Sequence, residues 1–310
     1  MEIEEQKTTA PLNADIEGFL MNAGFLEIHF EFGLAEYFRY LEELQLLSMG
    51  VKYKDLGIAE RRHSSLPKLI RPAEIAAGYQ FVDKWDIMDE ADTPAGSIAL
   101  LKLQGVMRSS SSLSSPGIDR LATDLRNAYA NENVVGVIVE TNSGGGESVA
   151  GNMLKTAMRE RNKPVVGFAH LAASAAYRGL SGADEIIAAG DSAEFGSIGT
   201  MVSLNRQLLK KYAKQFLDFY GKDAPGKNAD FRDATGGNFE KIQARVDDLT
   251  LQFQQEIKRD RNLQGDKAMI QNTVDGSVFN AVESKKRGLI DMIGNMQTAV
   301  KRIKSLRSKY

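Results

Sequence analysis

Residues 134–169 read VVGVIVETNSGGGESVAGNMLKTAMRERNKPVVGFA, and this stretch decides the fold. Val134 to Glu140 is an almost unbroken apolar run, and so is Pro164 to Ala169. Neither alternates between apolar and polar, as a strand with one wet face does. Val149 to Arg161 between them has the length and spacing of a helix. Continuous apolar strands separated by a helix predict a largely parallel α/β sheet covered on both faces. The first strand runs into three consecutive glycines, Gly144 to Gly146, at the strand-to-helix junction.

The same rhythm extends outward. Ser97–Leu103 reads as a strand and Gly117–Ala130 as a helix. Downstream, Ser174–Gly182 reads as a helix and Glu185–Ala189 (EIIAA) as another buried strand. Gly237 to Arg261 reads as one long helix, and short αβ elements return around Gly288-Leu289-Ile290-Asp291. No internal repeat or low-complexity tract interrupts the pattern.

The chain divides into residues 1–95 and 96–310. The first part holds a Phe-, Leu- and Glu-rich stretch from Ala14 to Met49 whose spacing suits amphipathic helices. Lys52–Pro72 is mixed and turn-like, and Asp89–Pro94 reads as a linker. The expectation is a mostly helical N-terminal extension, either packed as core or serving as a docking or oligomerisation arm.

Composition removes several function classes. The 310 residues hold 39 Lys and Arg against 41 Asp and Glu, a net charge of -2, which is no nucleic-acid footprint. The basic C-terminal tail, Lys301 to Lys309, reads as the solvated face of a terminal helix. There is no cysteine, so thiolate nucleophiles, disulfides and Cys-based metal sites are excluded. The start, Met1-Glu2-Ile3-Glu4-Glu5, is the reverse of a basic signal-peptide opening. No apolar run reaches the roughly 18 residues that a membrane span needs. The expectation is a cytoplasmic protein without an integral membrane segment.

Three clusters of small residues follow the C-terminal ends of strands, where open α/β sheets place their sites. The first is Asn142-Ser143-Gly144-Gly145-Gly146-Glu147, whose bare backbone N–H groups suit a phosphate or an oxyanion. It lacks the Lys-Ser/Thr ending of a P-loop. The second is Leu171-Ala172-Ala173-Ser174-Ala175-Ala176-Tyr177. Ser174 is either a helix cap or a nucleophile. The small neighbours leave room for an acyl group, and the Ala175 N–H is placed to join the glycine loop in holding negative charge. The third is Glu194-Phe195-Gly196-Ser197-Ile198-Gly199-Thr200, a glycine-bracketed turn.

Taken in order, these clusters resemble peptidase family S49, the signal peptide peptidase A (protease IV) group and its phage-encoded relatives. The matching run is a Ser-Gly-Gly loop, then Lys-Pro-Val-Val with Ala-Ala-Ser-x-x-Tyr, Ala-Asp-x-Ile-x-Ala and Gly-Ser-Ile-Gly. It continues through Phe231-Arg232-Asp233-Ala234-Thr235, Gly276-x-x-Phe279-x-Ala281 and Gly288-Leu289-Ile290-Asp291, covering about residues 97–305. The resemblance implies a ClpP/crotonase-type spiral of ββα units and a serine endopeptidase with a Ser–Lys dyad. It implies Ser174 as nucleophile, Gly145 and Gly146 with Ala175 as the oxyanion hole, and Ser197 as the residue orienting the base. Ala175-Ala176 stands where relatives often have Gly-Gly, and Gly144 where proline is common. Neither change removes a backbone N–H.

The resemblance places the base lysine in Tyr220 to Phe231, where two lysines fit. Lys227 lies nearer Phe231 and is preferred; Lys222 aligns if the gap falls elsewhere. Histidine is the usual base for serine, and the chain has His29, His63 and His170. None falls after Ser174 near residues 195–205, where a ClpP-type triad would want it. A lysine base must be neutral; moving its pKa from about 10.4 toward 7–8 disfavours the charge by roughly 3–4 kcal/mol, which burial supplies.

The expected partners are a polypeptide substrate, signal-peptide-like or a phage capsid or scaffold protein, and further copies of the chain. The resemblance implies a homo-oligomer in which a neighbour helps complete the site. No cofactor or metal is called for. Two alternatives stand beside this reading. One is a crotonase-like acyl-CoA enzyme using a carboxylate such as Glu147; the other is a non-catalytic assembly protein retaining a peptidase fold.

Overall fold

A computed structural model describes residues 26–28, 68–71, 93–111 and 116–310. The central sheet runs in the order β10-β7-β6-β4-β3-β2. Its members are β2 (Lys68–Ile70), β3 (Ser97–Gln104), β4 (Val134–Ser143), β6 (Val165–Ala173), β7 (Glu185–Ala189) and β10 (Met292–Gly294). All neighbours are parallel except β2, which lies antiparallel on β3. Helices α1 (Ile118–Ala130), α2 (Ser148–Arg159) and α3 (Ala175–Leu180) follow β3, β5 (Gly145–Glu147) and β6. This is the largely parallel α/β sheet expected from the sequence.

The unbroken apolar strands are explained by what covers them. Leu101, Val137, Val139, Val165 and Ile186 pack toward α1, α2 and α3. The alternate residues Ile98, Leu100, Ile138, Val166 and Ile187 pack against Val300, Ile303 and Leu306 of α9 (Met296–Leu306). Both faces are dry, so both side-chain sets are apolar. At Gly136 the helix comes so close that a Cβ would lie 2.5 Å from Ile303 Cγ2.

Strand β6 changes neighbour along its length. Val166–Ala169 pair with β7, whereas Leu171–Ala173 pair with β8 (Glu194–Gly196). Strand β8 in turn lies antiparallel to β9 (Val278–Asn280). Both β4 and β6 therefore run past the ends expected from the sequence, since Asn142 and Ser143 find partners in Leu171 and Ala172 after a register shift. That extension carries the glycine loop and Ser174 to the same level.

The remaining elements are α4 (Arg206–Gln215), α5 (Ala229–Thr235), α6 (Glu240–Asp260), α7 (Lys267–Thr273) and α8 (Ala281–Lys286). Helix α6 begins three residues later than expected, after Gly237 turns the chain at φ +89°.

Two described stretches of the N-terminal part depart from expectation. Within the stretch expected to be helical, Leu26–Ile28 is strand β1, antiparallel to β5. Within the segment expected to be turn-like, Lys68–Ile70 is β2, with Leu69 and Ile70 buried. In both places an unpaired strand edge offers a row of N–H and C=O groups, and pairing to it overrides local propensity. The rest of the expected helical extension, and most of the Asp89–Pro94 linker, lies outside the described residues.

Candidate active site

Ser174 sits at the turn between β6 and α3 with φ 55° and ψ -124°. A non-glycine residue in this region costs on the order of 1–3 kcal/mol. Its N–H donates to the Gly196 carbonyl at 2.8 Å, and its carbonyl accepts from Arg178 N at 2.9 Å. The backbone is thus held from both sides while the side chain is not. Ser174 is 1% exposed, and its Oγ has no hydrogen-bond partner among the described residues. A buried unmatched hydroxyl costs about 1–3 kcal/mol, so a strained turn that maintains one calls for an explanation. Ala175 opens α3, and a first-turn N–H has no acceptor within its own helix. Ser174 is not an ordinary helix cap, because its side chain makes no cap hydrogen bond.

The glycine loop lies beside this turn. A Cβ on Gly151, in the first turn of α2, would stand 2.8 Å from the Ala175 carbonyl, so α2 and α3 meet backbone to backbone. Gly145 and Gly146 form β5 at φ +99° and +157°. The Gly145 N–H is engaged by Ser143 Oγ at 3.1 Å, and that hydroxyl donates to the Gly105 carbonyl at 2.7 Å. The Gly145 carbonyl accepts from Met107 N at 2.8 Å, and Glu147 N donates to the Met107 carbonyl at 3.0 Å. Alternation along the strand then turns the N–H and C=O of Gly146 to the opposite edge, where β1 lies. Met107 gave no signal in the sequence. It fixes the loop so closely that a Cβ on Gly146 would lie 2.2 Å from its carbonyl oxygen.

Ser197 follows the carbonyl that holds Ser174. It has φ 54°, and its N–H donates to Ser277 O at 2.8 Å. Lys222 and Lys227 stand apart: both are exposed, in the turns between α4 and α5. Because Ser174 Oγ has no partner, neither ammonium is within hydrogen-bonding reach of it in the single chain. From Met201 to Gln252 only Ala234 is buried among the residues whose exposure is described. This segment exposes Phe216 (57%), Leu217 (86%) and Phe219 (92%).

The other polar residues considered have different engagements. His170 is largely exposed, and its Nε2 lies 3.8 Å from Glu140. Glu147 accepts from Ser109 N at 2.8 Å. Several motif residues act as scaffold. Tyr177 is fully buried and donates to the Leu289 carbonyl at 2.7 Å, joining Ala-Ala-Ser-x-x-Tyr to Gly-Leu-Ile-Asp. Asp291 accepts from Ile186 N at 2.7 Å and from Arg261 at 2.9 Å. Asp184 accepts from Val165 N at 2.8 Å.

Behind α3 lies a charged network that sequence reasoning missed. Arg178 is 2% exposed, donates to Ser148 Oγ at 2.8 Å and stacks 4.0 Å over Phe253 of α6. Lys155 of α2 binds Asp260 at 2.5 Å and Glu256 at 2.7 Å, and Arg159 reaches Asp260 at 2.6 Å. The signal available was weak: Lys155 and Arg178 interrupt the inward faces of short helices.

Residues 157–309 match the family model described as Peptidase family S49. This stretch, just under half of the chain, is similar to an S49 peptidase domain. The matched stretch includes Ser174, Ser197 and both lysines, whereas Gly145 and Gly146 precede it. A "Putative protease MJ0651" of Methanocaldococcus jannaschii is 29% identical over 180 residues, 56% of this chain. The alignment spans 57% of that relative, so a little over half of its length is represented. Among solved structures, a mutant of the 1510-N membrane-bound stomatin-specific protease is 14% identical with a TM-score of 0.41, over 66% of this chain and 82% of that one. An enoyl-CoA hydratase from Shewanella pealeana is 13% identical with a TM-score of 0.41, over 70% of this chain and 80% of the other. Among the described residues, no helix is long and apolar enough to cross a membrane.

Proposed function

We propose that the chain is a serine endopeptidase in which Ser174 attacks the peptide carbonyl and a lysine of a neighbouring copy serves as base. The carrying observation is the strained, buried and unpartnered Ser174 hydroxyl at the start of α3. Attack by Oγ forms an acyl-enzyme and releases the amine half of the substrate; water then hydrolyses the ester and regenerates the hydroxyl. The N–H groups of Ala175 and Gly146 suit the developing oxyanion, Gly145 being engaged by Ser143. Ser197, the residue immediately after β8, is the uncharged candidate for orienting the amine.

A second copy accounts for two features at once. Lys227, with Lys222 as its rival, must lose its water to become a neutral base, and each is exposed in the single chain. The segment bearing them displays Phe216, Leu217 and Phe219 around Asp218, and this apolar exposure supports an interface there. Docking this segment over a neighbour's Ser174 dehydrates the lysine and covers the apolar side chains together.

Ser174→Ala is expected to abolish peptide hydrolysis and labelling by a fluorophosphonate. Lys227→Ala is expected to do the same, and mixing the two inactive variants should restore part of the activity, since some assembled sites then pair an intact serine with an intact lysine. Failure of Ser174 to label in the assembled protein would sink the peptidase reading. Full activity of Lys227→Ala with loss in Lys222→Ala would transfer the base to Lys222.

A further inference from the structure

We infer that the strand edge at Gly146 receives an extended peptide and that the chain's own residues 26–28 occupy it as a displaceable internal inhibitor. The inhibitory role rests on the peptidase reading above; the occupancy rests on the backbone alone. Leu26, Glu27 and Ile28 run antiparallel to β5 in the register Leu26–Glu147, Glu27–Gly146 and Ile28–Gly145. The other edge of β5 is taken by Met107, through Met107 N to Gly145 O and Glu147 N to Met107 O. Gly146 therefore meets β1 with the N–H and C=O that the first edge leaves over, and Glu27 is the residue opposite.

This places a stretch of polypeptide on Gly146, whose amide is proposed above for the oxyanion. It also shows what kind of molecule fits the edge: an extended chain, antiparallel to β5, joined through backbone hydrogen bonds. A strand attached to the same chain competes at high effective concentration with a separate polypeptide. A three-residue pairing is short enough to be displaced. The apparent affinity for an outside substrate then falls by the fraction of molecules in which the edge is open.

The test uses the full chain with Glu27→Pro, which removes the N–H opposite Gly146, and Glu27→Ala, which keeps it. Hydrogen–deuterium exchange over residues 143–148 is read in a Ser174→Ala background to exclude self-cleavage. Fluorophosphonate labelling and peptide hydrolysis are read with Ser174 intact. Glu27→Pro is expected to speed exchange of the Gly146 amide and to raise labelling and hydrolysis about tenfold, if the edge is filled ten times more often than open. Glu27→Ala should match the unaltered chain. Unchanged Gly146 exchange in Glu27→Pro, or equally fast exchange in Glu27→Ala, overturns the backbone pairing. Faster exchange without faster hydrolysis in an active enzyme overturns the inhibition while leaving the peptidase intact. Absence of labelling and hydrolysis in every form sinks the peptidase reading, and the inhibitory role with it.

Discussion

Gly146→Ala is the sharpest single perturbation of the glycine loop. The new Cβ would stand 2.2 Å from the Met107 carbonyl oxygen, 2.7 Å from its nitrogen and 2.9 Å from its carbonyl carbon. All three are backbone atoms, so no side-chain rotation relieves the contact, and the two segments must separate by about 1 Å to restore ordinary contact distances. Separation disrupts the pair of hydrogen bonds of 2.8 and 3.0 Å that tie Met107 to Gly145 and Glu147. Two such bonds at about 1 kcal/mol each, plus about 1–3 kcal/mol for overpacking, give a loss near 3–5 kcal/mol. For a domain of this size that is a fall of roughly 6–20 °C in Tm. An amide displaced by about 1 Å from a forming oxyanion costs on the order of a hundredfold in rate. The assay is the second-order rate of fluorophosphonate labelling of Ser174, measured well below the variant's Tm by circular dichroism. Gly199→Ala is the control, because its Cβ would meet nothing within 4 Å. It should change stability by less than about 0.5 kcal/mol. A Gly146→Ala chain that melts and labels like the unaltered one would refute both the rigid Met107 clamp and the role of the Gly146 amide.

Asp260→Ala removes a 1%-exposed carboxylate from Lys155 and Arg159 and leaves Lys155 buried with Glu256 alone. A loss of about 3–5 kcal/mol is expected in thermal unfolding, and a Lys155→Met/Asp260→Leu pair should recover much of it. Burial pushes the Asp124 carboxyl up from 3.8 to about 6, with Arg120 opposing. A raised folded pKa means that Asp124 adds stability below about pH 3.8 and that this is lost as pH rises through about 6. Asp124→Asn should therefore melt above the unaltered chain at pH 8, with the gap closing as pH falls toward 4; an equal gap at both ends would contradict this. Leu217→Ser with Phe219→Ser should leave the single chain folded, lower its assembly state in analytical ultracentrifugation and reduce labelling of Ser174. Unchanged assembly and unchanged labelling would remove this segment from the interface.

What the sequence discloses and what it hides follow from how local each feature is. The parallel sheet was legible in Val134–Glu140, Pro164–Ala169 and Glu185–Ala189 because dryness on both faces leaves an unbroken apolar run. Ser174, the proposed nucleophile, stood out because a nucleophile at a strand-to-helix turn needs small neighbours, which Ala172, Ala173, Ala175 and Ala176 supply. The Met107 clamp was not, since a methionine acting only through its backbone N–H and C=O leaves no mark of side-chain chemistry. Strand β1 was hidden for a related reason. Three residues rich in Leu and Ile fit a helix or a strand equally well, and the edge of β5 decides between them only once the glycine loop has formed.

The base is the instructive case, because its obscurity has a physical cause. A serine nucleophile can be preorganised within one chain, since a neutral hydroxyl tolerates burial in the free protein at modest cost. A lysine base kept equally dry within one chain costs more: holding its amine neutral takes roughly 3–4 kcal/mol, and a carboxylate placed beside it would favour the charged form needed least. Holding the lysine in water on an exposed segment until assembly covers it avoids both costs. The sequence of such a segment then looks like any polar loop, apart from the apolar Phe216, Leu217 and Phe219 that assembly would bury. On this argument the lysine's dehydration and the closing of the interface are one event, and activity should rise with chain concentration in step with assembly. Dilution should abolish labelling of Ser174 at the same concentration at which the complex dissociates; labelling that persists in the isolated chain would place the base within it.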